Sequence, residues 1–364
     1  MNLEVTSTAP PDWDALSGGE LFPSRQWLAA MGERFSGRRV YAVGRSGDDR
    51  PLVGCFGTVI GDHNAYTPTN LFQVVALGAV GVSPTDQRDA SDPSVWFPNL
   101  FFSYPGYETY AIGKADHVAE GLADFASLCC DWARGEQLAV VAFTYTGQQL
   151  GEHADALRER GFSRATVARR AELLLPQGGF EAYLAALSGT QRKQVRREVR
   201  QLSSAGVLAR VIPPEPWIEE MTRLRVMHQR KYGHRAVEAE ERERISRLVH
   251  GWPDKVLVVG AFNRQDRLLA YTVSIRDGAR LNALLSGTDY EQSDARLTHF
   301  LVGYYWLVEI AEQYGFDRIS YGIGSPQAKQ QRGCGVEDVH CWLTGLTTGA
   351  QSAIELATGR AAAS

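Results

Sequence analysis

The hydrophobic and polar positions in the first half of the chain predict a helix, two strands, a loop, a second helix and a further strand. In FPSRQWLAAMGERF, apolar residues recur at helical spacing after Ser24, whose side chain is suited to cap a helix. Residues 40–43 and 52–60 flank a Ser-Gly-Asp-Asp turn and predict an antiparallel hairpin. HVAEGLADFASLCCDWARGEQ then predicts an amphipathic helix, and LAVVAFTYT predicts a buried strand.

The second half repeats this order more clearly. Helical spacing runs through FEAYLAALSGTQRKQVRREVRQLSSAG, PEPWIEEMTRLRVMHQRKYG and EAEERERISRLVH, and residues 256–288 predict three strands. ARLTHFLVGYYWLVEIAEQYG predicts a long helix that ends at Gly315, and DRISYGIG predicts a strand after it. Two copies of one unit account for the length. We therefore expect an α/β fold of two domains, residues 1–174 and 175–364, each with a mixed, mostly antiparallel sheet flanked by helices.

Composition and charge indicate an ordered globular protein. The 364 residues are 44% hydrophobic and 22% charged, and the formal net charge is −4. The first residues lack the basic and apolar regions of a secretory signal, and the most apolar runs are shorter than the ~20 residues of a bilayer span. We therefore expect a cytoplasmic protein without a membrane span.

The five cysteines are scattered and include no CxxC pair, which is typical of reduced cytoplasmic thiols. Cys334, His340 and Cys341 are close enough in sequence to be considered as metal ligands. Buried thiols explain the two cysteines better, and we predict no metal site.

An irregular loop in the first half, residues 83–110, is rich in aromatic residues. Their density argues against disorder, although the loop is longer than most connections in compact domains. The loop either packs as a lid or satellite core, or it presents Tyr104 or Tyr107 to an acceptor substrate.

The stretch SGTQRKQVRREVRQLSSAG, residues 188–206, concentrates positive charge in an acidic protein. Its cations are Arg192, Lys193, Arg196, Arg197 and Arg200. Like charges at this helical spacing repel by a few tenths of a kcal/mol per pair, so internal carboxylates or the phosphates of a ligand must compensate them. RVMHQRKYGHR adds Arg230 and Lys231 to the local charge. Both alternatives remain open from the residues alone.

Three segments resemble the Fem-like transferases, which are tandem GNAT N-acyltransferases of the kind found in peptidoglycan biosynthesis. FEAYLAALSGTQRKQVRREVRQLSSAGV resembles the start of their second unit, where a Tyr-Leu pair precedes an Arg/Lys-rich helix. YGIGSPQAKQQRGCG is similar to their late strand, glycine pair and lysine, and FPSRQWLAAM is similar to the start of their first unit. The resemblance covers nearly the whole chain and implies transfer of an acyl or aminoacyl group to an amine.

The resemblance implies one of three donors: aminoacyl-tRNA, acyl-CoA or a carrier-protein thioester. GNATs that use acyl-CoA hold its pyrophosphate on a glycine-containing turn at the start of the long helix. The corresponding place here reads TDYEQSDARLTHF, which has no glycine and carries three carboxylates. We therefore favour the acceptor arm of an aminoacyl-tRNA as partner. The candidate contacts for its phosphates are Arg192, Lys193, Arg196, Arg197, Arg200, Arg230 and Lys231.

No Ser-His-Asp or Cys-His set is evident, so we expect the amine to attack the donor carbonyl directly, without a cofactor. The resemblance implies that Lys329 stabilises the oxyanion or the donor's terminal ribose and phosphate, unless it is a surface lysine after a turn. Asp289 follows a predicted central strand, where α/β sheets usually present ligands, and would take the amine proton. Tyr321 would donate a proton to the leaving oxygen. Asp289 and Tyr321 have structural alternatives as a helix cap and a core aromatic.

The acceptor is expected to be a small or peptide-like amine. Its candidate contacts are Tyr104, Tyr107, His228, Tyr290 and His299. His228 and His299 are also candidate bases, although a lone histidine on a partly apolar helix is more often structural. A non-catalytic binding protein with the same fold is the alternative outside the enzymes.

Overall fold

The computed structural model describes residues 1–32, 35, 37–65, 67–80, 92–106, 108–147, 150, 153–292 and 294–359. Its strands, numbered along the chain, are β1 (Asn2–Thr6), β2 (Arg38–Arg45), β3 (Pro51–Ile60), β4 (Asn99–Phe102), β5 (Val140–Thr146), β6 (Ser163–Leu174), β7 (Leu208–Val211), β8 (Val256–Phe262), β9 (Leu268–Asp277), β10 (Arg280–Thr288), β11 (Arg318–Ile323) and β12 (Gly335–Gly345).

The α-helices are α1 (Trp13–Leu16), α2 (Arg25–Met31), α3 (Ala115–Gly135), α4 (Ala154–Glu159), α5 (Gly179–Ala186), α6 (Gly189–Ser204), α7 (Ile218–Lys231), α8 (Glu238–Gly251), α9 (Ala295–Phe300), α10 (Trp306–Tyr314), α11 (Pro326–Gln330) and α12 (Thr348–Thr358). A π-helical turn, Leu301–Tyr305, joins α9 to α10. In the described part of the chain, none of the helices has both the length and the apolar character that crossing a bilayer requires.

The chain forms two compact units, and the first comprises Met1–Arg169 and Glu337–Ser364. The predicted hairpin is confirmed, since β2 and β3 are antiparallel neighbours. The predicted cap is confirmed as well, because the Ser24 side chain accepts a hydrogen bond from the backbone N–H of Trp27. Helix α3 buries Leu122 and Phe125 against the strands, in a core that includes Phe102.

The second unit comprises Arg170–Val336. Its strand order is β6, β11, β10, β9, β8, β7, and only the β10–β11 pair is parallel. The continuous helical segment from α9 to α10 supplies much of its core, including the buried side chains of Val302, Leu307 and Val308. The three predicted strands at 256–288 and the strand at 317–324 lie in this unit as β8, β9, β10 and β11.

The division differs from the predicted domains at the C-terminus. The predicted boundary after residue 174 lies five residues beyond the observed one, within β6. The last segment, however, belongs to the first unit, because β12 pairs with β5 and Trp342 is fully buried in that unit's core. Alternation of apolar residues predicts a strand at this place but does not indicate which sheet the strand joins.

Candidate active site at the ends of β10 and β11

The two parallel strands of the second unit are paired only near their beginnings. Residues 280–282 of β10 lie opposite residues 318–320 of β11, and both strands continue beyond this pairing. The register of β10 with β9 shifts between Ala283 and Leu285, and the register of β11 with β6 shifts between Ser320 and Ile323. The carboxyl ends of parallel strands lie at one edge of a sheet, where α/β proteins usually bind ligands. We call the place where these two strand ends separate the strand crevice.

Lys329 lies at the β11 side of the strand crevice. The chain turns sharply at the end of β11, with positive φ angles at Gly322, Gly324 and Ser325, and α11 then returns the lysine to the strand end. Its Nζ donates hydrogen bonds to the carbonyls of Tyr321 at 2.8 Å and Gly322 at 3.2 Å. The residue is only 8% exposed, and burial lowers its pKa to about 8. The alternative of a surface lysine is therefore wrong.

Tyr321 provides a buried hydroxyl beside the lysine. Its ring stacks on that of Tyr304 with 4.4 Å between the centroids. Its hydroxyl is buried and has no hydrogen-bond partner among the described residues. Burial raises the pKa of Tyr321 well above 10, so the hydroxyl stays protonated at neutral pH. It can therefore act as a proton donor, and its proposed role remains a prediction.

A buried ion pair holds the segment that carries Lys329. Arg332 and Glu198 approach to 3.2 Å, and their side chains are 3% and 4% exposed. The guanidinium of Arg332 also donates to the carbonyl of Ala328 and lies 3.3 Å from the centroid of the Phe300 ring. Glu198 accepts further hydrogen bonds from Tyr305 and Gln194. This network was not predicted, because Glu198 in the sequence indicates only local compensation of the neighbouring arginines.

A cluster of rings lies at the β10 side of the strand crevice. We call His228, Tyr232, Tyr290 and His299 the histidine cluster; the rings of His228 and His299 are 5.5 Å apart. Nδ1 of His228 lies 3.2 Å from the hydroxyl of Tyr290, and Nδ1 of His299 lies 3.3 Å from Oγ1 of Thr288. Burial lowers the pKa of His228 to about 3 and that of His299 to about 4, helped by neighbouring cations. Both imidazoles are therefore neutral at physiological pH.

The two sides of the strand crevice are connected through aromatic contacts. The ring of Phe300 lies 5.9 Å from that of His299 and 6.1 Å from that of Tyr304, which stacks on Tyr321. The structure thus brings His228, Tyr290, His299, Tyr321 and Lys329 into one network of the second unit. Several of these residues are far apart in the sequence, and the sequence alone does not predict that they lie close together.

Asp289 lies at the end of β10, as predicted, but its carboxylate is engaged. The residue is fully buried, and its carboxylate is 2.7 Å from Arg267 and 3.5 Å from Arg223. It also accepts the backbone N–H of Glu291. These contacts occupy the carboxylate oxygens, so the geometry does not favour Asp289 as the proton acceptor.

The cations of α6 divide into two groups. The guanidinium of Arg192 donates to the carbonyls of Leu184, Ala185 and Leu187, which makes it a cap for the end of α5 and not a free phosphate contact. Arg196 pairs with Glu181, and Arg200 donates to the Arg196 carbonyl. Lys193 and Arg197 are exposed and have no partner among the described residues, and the same holds for Arg230 at the end of α7.

Lys231 is also exposed, and its Nζ lies 5.9 Å from the centroid of the Tyr290 ring. Internal pairing and an open cationic surface therefore both occur. We call Lys193, Arg197, Arg230 and Lys231 the open cations.

Tyr104 and Tyr107 are the two predicted acceptor contacts from the aromatic loop of the first half. Tyr104 is fully buried in the first unit, where its hydroxyl donates to the carbonyl of Tyr110, so its prediction as an acceptor contact is wrong. Tyr107 lies outside the described residues. Within the described ranges, no three potential ligands among His, Cys, Asp and Glu gather in a way that could hold a metal ion.

The mixed 12-stranded sheet and the parallel strand pair that separates at its carboxyl ends define the tandem GNAT-like fold. The chain belongs to the FemAB-like family, described as peptidoglycan biosynthesis/recognition, whose model matches residues 114–357. The predicted Fem-like family and fold class are confirmed. A comparison with curated proteins finds no match.

Solved structures show the same fold at low sequence identity. The crystal structure of FemX has a TM-score of 0.59 at 10% identity, with 94% of this chain and 97% of that chain covered. L-PGS from Bacillus licheniformis has a TM-score of 0.57 at 10% identity, with 96% of each chain covered. The C-terminal domain of a protein from Agrobacterium fabrum, predicted to be a lysylphosphatidylglycerol synthetase, has a TM-score of 0.56 at 10% identity, with 95% and 94% covered.

Proposed function

We propose that this protein forms an amide by transferring an aminoacyl group from aminoacyl-tRNA to the amine of a small or peptide-like acceptor. The reaction takes place at the strand crevice of the second unit. Membership of the FemAB-like family supports an acyl- or aminoacyltransferase in general. An aminoacyl-tRNA donor also implies a cytoplasmic location, since charged tRNA is made there.

The choice of donor rests on the hydrogen bonds and charges of the segment between β10 and α9. A CoA pyrophosphate would need free backbone N–H groups at this place. Here the carboxylate of Asp289 accepts the N–H of Glu291, and the Asp289 carbonyl is 3.3 Å from the N–H of Gln292. Asp294, just before α9, adds another carboxylate. The occupied amides, with the carboxylate of Asp294 beside them, disfavour a bound pyrophosphate at this position.

The open cations supply an alternative place for donor phosphates. Four such side chains are enough for the short acceptor arm of a tRNA, which does not require a basic protein overall. Arginine and lysine in this setting contact phosphates and release counterions, so donor binding should weaken as salt increases. This part of the proposal explains why an acidic chain concentrates cations on α6 and at the end of α7.

The chemistry follows from the groups at the β11 side of the crevice. The acceptor nitrogen attacks the ester carbonyl, the new C–N bond forms, and the bond to the ribose oxygen breaks. The Lys329 ammonium, which now donates to two carbonyls, would donate to the oxyanion of the tetrahedral intermediate. The hydroxyl of Tyr321 is suited to protonate the leaving ribose oxygen, and the amine proton passes to solvent or to that hydroxyl. No cofactor is needed for this sequence.

His228 and His299 are better suited to hydrogen bonding than to general base catalysis. A base works best when its pKa lies near the working pH, and burial places the pKa values of these two imidazoles at about 3 and about 4. As neutral rings they can hold the acceptor by hydrogen bonds without adding charge. Tyr290, whose hydroxyl contacts His228, belongs to the same acceptor contact.

The test is transfer by the purified protein, followed by mass spectrometry, with three separate donors: a charged tRNA pool, acyl-CoAs and an acylated carrier protein. A panel of amines serves as acceptors. We expect an amide product from charged tRNA only, lost when the donor is treated with ribonuclease. Lys329→Met should abolish turnover and retain tRNA binding, whereas Lys114→Met, a change of an exposed lysine of the first unit, should leave both unaltered.

Two results would overturn the proposal in different ways. If the amide formed from acyl-CoA or from the carrier thioester and ribonuclease had no effect, the proposed donor would be wrong and the transferase activity would stand. Tight binding of charged tRNA without any product, unchanged by Lys329→Met, would identify a non-catalytic binding protein.

A further inference from the structure

Tyr232 is an exposed aromatic side chain at the β10 side of the crevice. It follows directly after α7 and is 58% exposed, which is unusual for a large ring. The turn after it is well defined, because Gly233 has a φ of +75° and the N–H of His234 donates to the carbonyl of Gln229. The ring packs at 5.1 Å from that of His228. Tyr232 is thus held at the outer end of the histidine cluster.

The residues around Tyr232 are basic in type and exposed. Arg230, Lys231, His234 and Arg235 are all exposed, and none forms an ion pair with a described residue. The first turn of α8, which follows this stretch, carries Glu238 and Glu240. Neither of these carboxylates pairs with the four side chains. An exposed ring within a set of unpaired cations is the combination with which proteins bind unpaired nucleotides, since bases stack on the ring and phosphates contact the cations.

We propose that Tyr232 is a stacking platform for a nucleobase of the donor, with Arg230 and Lys231 contacting the adjoining phosphates. This inference rests on the proposed function, in which the donor is a nucleotide-bearing molecule whose reactive ester enters the strand crevice. The unpaired 3′ end of tRNA and the adenosine of CoA share the required chemistry. The RNA end is favoured, because several unpaired nucleotides can use the ring and both cations together.

The position of the ring agrees with this role. From Tyr232, ring contacts continue through His228 and His299 to Phe300, and from there to Tyr304 and Tyr321. A base stacked on Tyr232 would therefore lie at the outer end of the network whose inner end is the catalytic lysine.

The experiment measures binding and not turnover, so that it is independent of the transfer reaction. Fluorescence anisotropy with the full chain uses three probes: a labelled single-stranded RNA ending in CCA, uncharged tRNA and a labelled CoA. The variants are Tyr232→Ala, Tyr232→Phe and Lys231→Ala. Leu356→Ala and Lys114→Ala, at exposed positions of the first unit, are matched controls.

Loss of one stacked base should weaken binding about tenfold or more, so Tyr232→Ala should lower the affinity for the CCA-ended RNA by that factor. Tyr232→Phe should bind as the wild type does, because the ring and not the hydroxyl is used. Lys231→Ala should reduce the slope of log affinity against log salt by about 0.7, the value for one phosphate of a single strand. The two control variants should change neither quantity.

Unchanged RNA and CoA binding by Tyr232→Ala would overturn the inference, and the proposed function would stand if transfer from charged tRNA were observed. A loss of CoA binding alone would support the stacking platform with CoA as its ligand. In that case the inference would survive while the proposed donor would fail.

Discussion

Replacing Lys329 by Met removes a buried cation from the strand crevice, and the resulting change in stability should depend on pH. The lysine is 8% exposed, and burial lowers its pKa from 10.5 to about 8, with Cys334 acting weakly in the opposite direction. Since the folded-state pKa lies below the unfolded one, the unfolded chain binds more protons between these two values. The contribution of Lys329 to the free energy of unfolding therefore rises as pH increases through this window.

The expected size follows from the two pKa values. A change from 10.5 to about 8 corresponds to roughly 3 kcal/mol of destabilisation, fully present below pH 8 and absent above pH 10.5. Met at this position carries no charge and feels no such cost. The difference in unfolding free energy between the variant and the wild type should therefore shrink by roughly 3 kcal/mol as pH rises across the window. Cys334 does not titrate in the folded state here, since burial raises its pKa to about 12.

Urea unfolding of both proteins at a series of pH values measures this difference directly. Met also loses the hydrogen bonds to the carbonyls of Tyr321 and Gly322, and any difference between the ammonium and the amine as donor is already contained in the folded-state pKa. Lys114→Met, which removes an exposed lysine of the first unit, is the matched control. A flat difference for Lys329→Met would mean that the lysine is hydrated like a surface residue. The oxyanion site would then not be desolvated, contrary to the proposed role of Lys329.

Three further predictions concern the surroundings of this site. Arg192→Ala should lower the free energy of unfolding by about 1–3 kcal/mol and leave the salt dependence of donor binding unchanged. Arg197→Ala should leave the free energy of unfolding unchanged and reduce the salt dependence of donor binding. Calorimetry and binding titrations measure the two quantities, and equal effects of the two variants would contradict the distinction between a capping arginine and an open cation. Glu198→Gln and Arg332→Met should each lower the free energy of unfolding by about 3–5 kcal/mol, measured by urea unfolding. The double variant should lose clearly less than the sum of the two single losses, and a loss equal to that sum would contradict a buried pair. Gly287→Ala should cost about 1–3 kcal/mol in the same assay, because a Cβ there would lie 2.8 Å from the backbone of α7, and a neutral effect would show that α7 can move away.

Local features of the fold followed from the sequence because they depend on neighbouring residues. Ser24 caps α2 through its own side chain, and the Ser-Gly-Asp-Asp turn connects β2 to β3 in the hairpin. The neighbour of β12 in the sheet could not be predicted, because pairing with β5 is a contact between distant parts of the chain. The family resemblance found Lys329, but only the structure shows that the lysine is buried.

The candidate site was predictable in its residue types and not in its arrangement. Asp289 has the position expected of a proton acceptor, yet two arginines that are distant in sequence neutralise it. Tyr104 belongs to an aromatic loop that looked suited to ligand binding, and it is fully buried. In both cases the pattern along the chain was correct, while tertiary contacts decided what the side chain can do. Tyr232 is the opposite case, because it was not predicted as a site residue and only the structure shows that it is exposed.

The basic helix α6 connects the two parts of the proposed reaction. Lys193 and Arg197 face solvent, where a donor phosphate could bind, whereas Glu198 on the inner face holds Arg332. The backbone N–H of Arg332 in turn donates to the carbonyl of Lys329 at 2.9 Å. A donor bound to the outer face is therefore held by the same helix that fixes the lysine. For this reason Glu198→Gln should alter the pH dependence of turnover, which reports on Lys329, more than the affinity for tRNA, which depends on the outer cations.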